Sequence, residues 1–275
     1  AAVAATAVVA LVGCGGAPLP TGPVAVATTT QIGDWLRAVG GETIAVHQIL
    51  RPNADPHEYE ARPADVIGTA RALVVFESGA GLDRWMARIV AYAGGHPQVV
   101  DLGQAGGGAA TTDPHWWNDP RQAIAAVGAI RDALSEADPG DRAGFARNAE
   151  RYLDRLRALD RDLAACFARL PAAQRTLVTS HDAFGAFAAR YGIRVVGAVI
   201  PSRSTEAQPS AGDVAHLVAL VRREHVRAIF PERSIDDRLA AQIARETGAT
   251  ASYRLYGDTL GPAGSSGATY IGMER

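Results

Sequence analysis

Between residues 145 and 170 the apolar side chains Phe145, Ala149, Tyr152, Leu156, Leu159, Leu163, Cys166 and Leu170 recur at alternating spacings of four and three. At about 3.6 residues per turn, this spacing puts all of them on one side of a single continuous helix. Arg147, Glu150, Arg151, Asp154, Arg155, Arg157, Asp160, Arg161 and Asp162 fall between them as a solvated face, and Pro171 cannot continue the helix. The run is about four heptads long, so a coiled-coil partner is the alternative reading of the stripe.

On both sides of this helix, short apolar runs alternate with helical patterns. Before it, strands are expected over 24–27, 44–50, 73–76 and 99–100, with helices over 31–39, 64–70, 82–93 and 120–136. After it, strands are expected over 176–179, 195–199 and 228–230, with helices over 183–191, 211–224 and 238–247. Apolar strands that alternate with helices argue for mostly parallel sheets with helices on their faces. The simplest architecture is two α/β lobes, 24–138 and 172–275, joined by a long helix within 139–171. No repeat relates the two halves.

A chain of 275 residues that is 48% hydrophobic, with a formal net charge of −2, has material for sizeable cores and no charge block to attract nucleic acid. All 27 basic residues are arginine, which excludes Schiff-base catalysis and a phosphate-loop lysine. The two cysteines, Cys14 and Cys166, differ completely in setting, so no disulfide is indicated, and Cys166 is expected as an unpaired thiol packed on a helix.

Residues 1–13 are small and apolar and end in Leu11-Val12-Gly13-Cys14, followed by a Gly/Pro-rich tether over 14–23. This resembles a partial bacterial lipoprotein signal, with Cys14 as the acylated residue and a lipid anchor on the outer membrane face. The run is too short to span a bilayer. It begins without Met or a basic region, so a fragment is expected.

Three of the seven histidines share a setting. His57 lies in Asp55-Pro56-His57-Glu58-Tyr59 after a strand, His115 in Asp113-Pro114-His115-Trp116-Trp117 before a helix, and His181 after the strand 176–179. Ligands of open α/β sheets bind beyond the carboxyl ends of strands. Imidazoles there, beside Tyr59, Trp116, Trp117 and Phe184, suit a transition metal such as Zn²⁺. His47, His96, His216 and His225 read as structural or surface residues, and Glu232 as a candidate partner of a metal-binding side chain.

The segments Asp55-Pro56-His57-Glu58-Tyr59-Glu60, Asp113-Pro114-His115-Trp116-Trp117-Asn118-Asp119-Pro120, Thr179-Ser180-His181-Asp182-Ala183-Phe184-Gly185, Ser204-Thr205-Glu206-Ala207-Gln208-Pro209-Ser210 and Gly267-Ala268-Thr269-Tyr270-Ile271 resemble, in order, signatures of the zinc- and manganese-binding solute receptors of ABC importers. The resemblance implies two lobes joined by a rigid helix, with one metal in the cleft held by His57, His115, His181 and a late carboxylate, Asp258. It implies an extracytoplasmic, monomeric receptor that delivers Zn²⁺ to a permease and its ATPase, with Mn²⁺ as the alternative ion. Two departures stand out. Gln208 replaces the usual glutamate, and residues 102–112 lack the His-rich insertion of many zinc members, which leaves a metallochaperone as another route of supply. The resemblance also implies a further helix beyond Arg275.

Two enzyme readings compete with the receptor. A metal-dependent hydrolase needs an open coordination position and a base among carboxylates such as Asp55, Glu58 and Asp182. A serine hydrolase built on Ser180-His181-Asp182 would need spatial convergence and lacks a Gly-x-Ser-x-Gly elbow.

Overall fold

A computed structural model describes residues 22–105 and 112–275; Cys14 and the leader-like stretch lie outside them. The first lobe contains β1 (Val24–Ala27), α1 (Thr30–Gly40), β2 (Ala45–Gln48), α2 (Pro63–Thr69), β3 (Ala72–Glu77), α3 (Met86–Ala93), β4 (Gln98–Asp101) and α4 (Pro120–Ala137). Its sheet has the order β2-β1-β3-β4 and is parallel throughout. Strand alternation sends Ala25, Ala27, Val74 and Phe76 to a core with Trp35, Leu36 and the α4 side chains Val127 and Ile130. Val26 and Val75 point the other way, onto Met86 and Ile89 of α3. Helices on both faces explain why these strands read as unbroken apolar runs.

The stripe forms α5 (Arg142–Ala168), a helix of 27 residues and about 40 Å. Phe145, Ala149, Tyr152, Leu153, Leu156 and Leu159 are buried against the first lobe, so the chain itself covers most of the stripe and leaves no seam for a coiled coil there. The stripe's end departs from expectation. Cys166 is exposed rather than packed, and Leu170 lies beyond the helix at 40% exposure. Past Leu159 the helix turns toward the second lobe, where Phe167 stacks on Tyr191 with centroids 5.5 Å apart.

The second lobe holds β5 (Thr176–His181), α6 (Gly185–Tyr191), β6 (Arg194–Ile200), α7 (Ala211–Arg223) and α8 (Arg238–Thr247). β5 and β6 pair in parallel over a core of Val178, Val199, Val221, Ile229 and Ile243. The strand expected at 228–230 pairs only through isolated parallel bridges, Thr179 with Phe230 and Ala228 with Thr250. Pro231 follows it and has no N–H to extend the ladder. A short α9 (Tyr270–Glu274) completes the described elements. From Tyr256 onward the chain returns to the first lobe: Tyr256, Leu260, Tyr270, Ile271 and Met273 all join the first core.

Candidate metal centre

Each of the four side chains in the cleft is set by its local sequence. In both Asp-Pro-His segments the aspartate turns back to accept the histidine's backbone N–H, at 2.9 Å from Asp55 to His57 and 3.0 Å from Asp113 to His115. These are Asx turns, stiffened by the proline between. After His115 comes a single turn of 3₁₀ helix, and Asp119 and Pro120 then start α4 as N-cap and first helical residue. His181 is the last residue of β5, one position earlier in structural terms than a loop site. Asp258 follows the bridge between Glu232 and Leu255.

The fold brings these residues together although they are far apart in sequence. His115 Nε2 lies 3.2 Å from both His57 Nε2 and His181 Nε2. Asp258 supplies Oδ1 at 3.5 Å from His115, and Oδ2 at 3.3 Å from His181 and 3.7 Å from His57. Among the described residues this is the one group of His, Cys, Asp and Glu placed to hold a metal ion. Metal–donor distances of about 2.0–2.2 Å around a tetrahedral zinc put neighbouring donor atoms about 3.3–3.5 Å apart. The spacings of 3.2–3.7 Å lie near those edges, with the Asp258 contacts divided between its two oxygens.

Burial sharpens the reading. His115 and His181 are fully buried and Asp258 is 1% exposed, yet neither Asp258 oxygen has a hydrogen-bond partner. An ionised carboxylate without donors is costly in such a place, and three imidazole Nε2 atoms converging on it do not relieve one another. A cation at their centre satisfies all four. The opposite ring nitrogens are already engaged: His115 Nδ1 with Asp113 Oδ1 and His181 Nδ1 with Glu232 Oε1, each at 3.0 Å. A carboxylate at Nδ1 keeps the proton there and leaves the Nε2 lone pair for a metal.

Burial lowers the pKa of His57, opposed by Asp258 and reinforced by His115. Burial also opposes charge on His181, but Asp258 and the Glu232 hydrogen bond outweigh it and push the pKa up to about 9. Glu232, 1% exposed, is raised by burial against the pull of His181. Glu232, read from the sequence as a candidate partner of a metal-binding side chain, lies against the ring of His181. Sequence reasoning missed Asp113, although the repeated Asp-Pro-His triplet contains the signal. Trp117, named from the sequence only as an aromatic neighbour of the site, also donates its Nε1 to Gly257 O at 2.9 Å beside Asp258.

Asp182, by contrast, points out of the cleft toward Arg203 with its side chain 47% exposed. Ser180 Oγ accepts the Glu232 backbone N–H, and His181 pairs with Glu232 rather than Asp182, so Ser180-His181-Asp182 does not converge as a triad.

The family model described as ZnuA, zinc-uptake complex component A periplasmic, matches residues 25–275. The chain belongs to this family. ZnuA-family proteins are extracytoplasmic metal-binding receptors of ABC importers, not enzymes, and work with a permease and an ATPase. The hydrolase readings are thereby set aside. The chain is 32% identical over 258 residues to the iron-binding protein YfeA of Yersinia pestis, covering 90% of this chain and 81% of that one. It is 33% identical over 262 residues to the manganese-binding lipoprotein MntA of Bacillus subtilis, covering 90% and 85%. The solved periplasmic zinc-binding protein TroA of Treponema pallidum shares the fold with a TM-score of 0.85 at 28% identity, over 92% of this chain and 95% of that one. No helix among the described residues is long and apolar enough to cross a membrane.

Proposed function

We propose that this ZnuA-family receptor captures Zn²⁺ through His57, His115, His181 and Asp258 and delivers it to its importer. The observation that carries the reading is the buried Asp258 carboxylate, without a hydrogen-bond partner, facing three Nε2 atoms at 3.3–3.7 Å. Three imidazoles and one carboxylate make a nitrogen-rich set, and affinity at such sites rises steeply from Mn²⁺ to Zn²⁺. Four protein donors also close a tetrahedral shell, which suits storage and transfer of an ion rather than activation of water. Cys14 would tether the receptor beside the permease.

Manganese is the second reading, and one feature favours it. Both Asp258 oxygens face the nitrogens, so the carboxylate could bind through both and raise the coordination number, as suits an ion that prefers more oxygen donors. Titration calorimetry with Zn²⁺ and Mn²⁺ on the chelator-stripped protein, repeated for His115→Ala, separates the possibilities. One tight Zn²⁺ per chain, lost in the variant, is the expected result; tighter Mn²⁺ would transfer the assignment to manganese. Absence of binding by both ions would remove the metal reading altogether.

A further inference from the structure

Asp258 lies late in the chain, in the part that sequence order assigns to the second lobe, but the hydrogen bonds of the residues on either side of it run to the first. Leu255 is the last residue laddered to the second lobe, donating to Pro231 O at 2.8 Å and accepting from Arg233 N at 3.0 Å. Two residues later the attachment changes sides. Gly257 O accepts from Trp117 Nε1 at 2.9 Å, Leu260 N donates to Thr30 Oγ1 at 2.8 Å, and Asn53 N reaches both Leu260 O and Thr259 Oγ1 at 3.1 Å. Tyr256 and Leu260 sit in the first core, and the α9 side chain of Tyr270 donates to Trp117 O at 2.6 Å. The crossing point is Gly257, where an added Cβ would lie 2.5 Å from Glu232 Oε2 and 3.2 Å from Phe184. Bare backbone passes Glu232 and Phe184 there, and beside it Arg233 of the second lobe lies over the ring of Tyr256, 4.9 Å from its centroid.

We propose that Thr30 and Trp117 are positioning residues that hold the Asp258 strap to the first lobe, so that this lobe alone carries three of the four ligands. The second lobe contributes only His181, backed by Glu232. Capture then has two stages: the ion meets a preassembled His57, His115 and Asp258 face, and His181 closes on it afterward. Loss of His181 alone begins release. This rests on the ligand set proposed above, but the attachment of the strap can be tested without any metal.

The test combines hydrogen exchange with stopped-flow binding on the full chain. In the chelator-stripped protein, the amide of Leu260 is expected to be as protected as those of β1, with no further gain on adding Zn²⁺, whereas the amides of His181 and Glu232 gain protection. Binding can be followed by the fluorescence of Trp117, whose ring centroid is 5.6 Å from that of His115. His181→Ala should associate within about threefold of the wild-type rate and dissociate about a hundredfold faster, since losing a late contact acts on the off-rate. Thr30→Val should slow association about tenfold, and Thr30→Ser, which keeps the hydroxyl, should restore it.

Three results would overturn the inference: strap amides that become protected only with metal, a His181→Ala association rate that falls as far as its dissociation rate rises, or a Thr30→Val rate equal to wild type. Circular dichroism checks that each variant is folded, and if Thr30→Val is not, the exchange pattern and His181→Ala still decide. A wild-type protein that binds neither Zn²⁺ nor Mn²⁺ would refute the metal site instead, while the exchange of Leu260 in the metal-free chain would still support or overturn the strap.

Discussion

At the scale of single residues, the proposed centre has carboxylates behind its histidines as well as among its donors. Glu232 accepts from both the backbone N–H and the ring of His181, and it is almost wholly removed from water. Glu232→Gln retains an acceptor but removes the charge that fixes the tautomer, so metal affinity should fall about 10–100-fold. A chelator competition titration measures this, and an unchanged affinity would mean that His181 needs no partner. Protons should compete with the metal in a defined window. With its pKa raised to about 9, His181 carries a proton at neutral pH that metal binding must expel. Affinity therefore rises about tenfold per pH unit from neutrality toward pH 9 and levels off above it. His57, lowered by burial, begins to compete only below its ordinary value of 6.5, so the slope steepens on the acid side. Calorimetry from pH 5.5 to 9.5 would expose a flat profile, which is incompatible with an imidazole site.

Among the elements, α5 is the strut between the lobes, and its anchors differ at its two ends. Asn148 and Tyr152 bond to Val39 O and Asp34 of the first lobe, while Asp160 holds Arg190 through two bonds, at 2.8 and 2.7 Å, and Tyr191 at 3.1 Å in the second. Burial tends to raise the Asp160 pKa, but Arg190 and Tyr191 overcome it and hold the carboxyl below its usual value. A depressed carboxyl stabilises the fold above its unfolded pKa and loses that contribution as pH falls through the folded one. Asp160→Asn should then cost about 1–2 kcal/mol at pH 7 in urea unfolding, with the difference shrinking below about pH 4. Glu77 at the end of β3 has the opposite sign: burial, with Asp83 and Asp101 nearby, pushes it up to about 7. Its ionisation destabilises the fold as pH rises from 4.5 toward 7, so Glu77→Gln should be the more stable protein at pH 8 and indistinguishable from wild type below pH 4.5. The elements themselves were largely legible, because periodicity is local: the helix read over 238–247 is α8 to the residue. Misplaced ends have tertiary causes. The helix expected from residue 82 begins at Met86, because Gly79, Ala80 and Gly81 all take positive φ and Asp83 folds back to accept from Ser78 and Gly79. For the site, His57 and His115 were legible through their Asp-Pro-His turns. Asp258 was not, since it is placed by Trp117 and Thr30, 140 and 230 positions from the residues they bind.

For the whole molecule, the four proposed donors close a loop between two lobes that also meet through α5, the strap and side-chain bonds such as Asn118 Nδ2 to Ala183 O at 3.1 Å. An ion bound by the folded protein and not by the unfolded chain stabilises the fold by mass action, about 4 kcal/mol when free metal is a thousandfold above its dissociation constant. For a chain of this size each kcal/mol raises the melting temperature by about 2–4 °C, so saturating Zn²⁺ should raise it by about 8–16 °C at pH 7.5. The same excess over the neutral-pH dissociation constant should do much less at pH 5.5, because His181 and then His57 hold protons that the metal must displace. Differential scanning calorimetry at the two pH values, with a chelator control, therefore reads the proton linkage of the centre as a temperature. His181→Ala tests whether the stabilisation comes from joining the lobes. Without that residue the ion can still bind the first-lobe face but no longer ties the second lobe to it. The variant's melting shift should fall well below wild type even at metal concentrations that saturate both proteins. Equal shifts at the same free metal concentration would mean that His181 adds nothing to the affinity, and that closure of the cleft is driven by contacts other than His181.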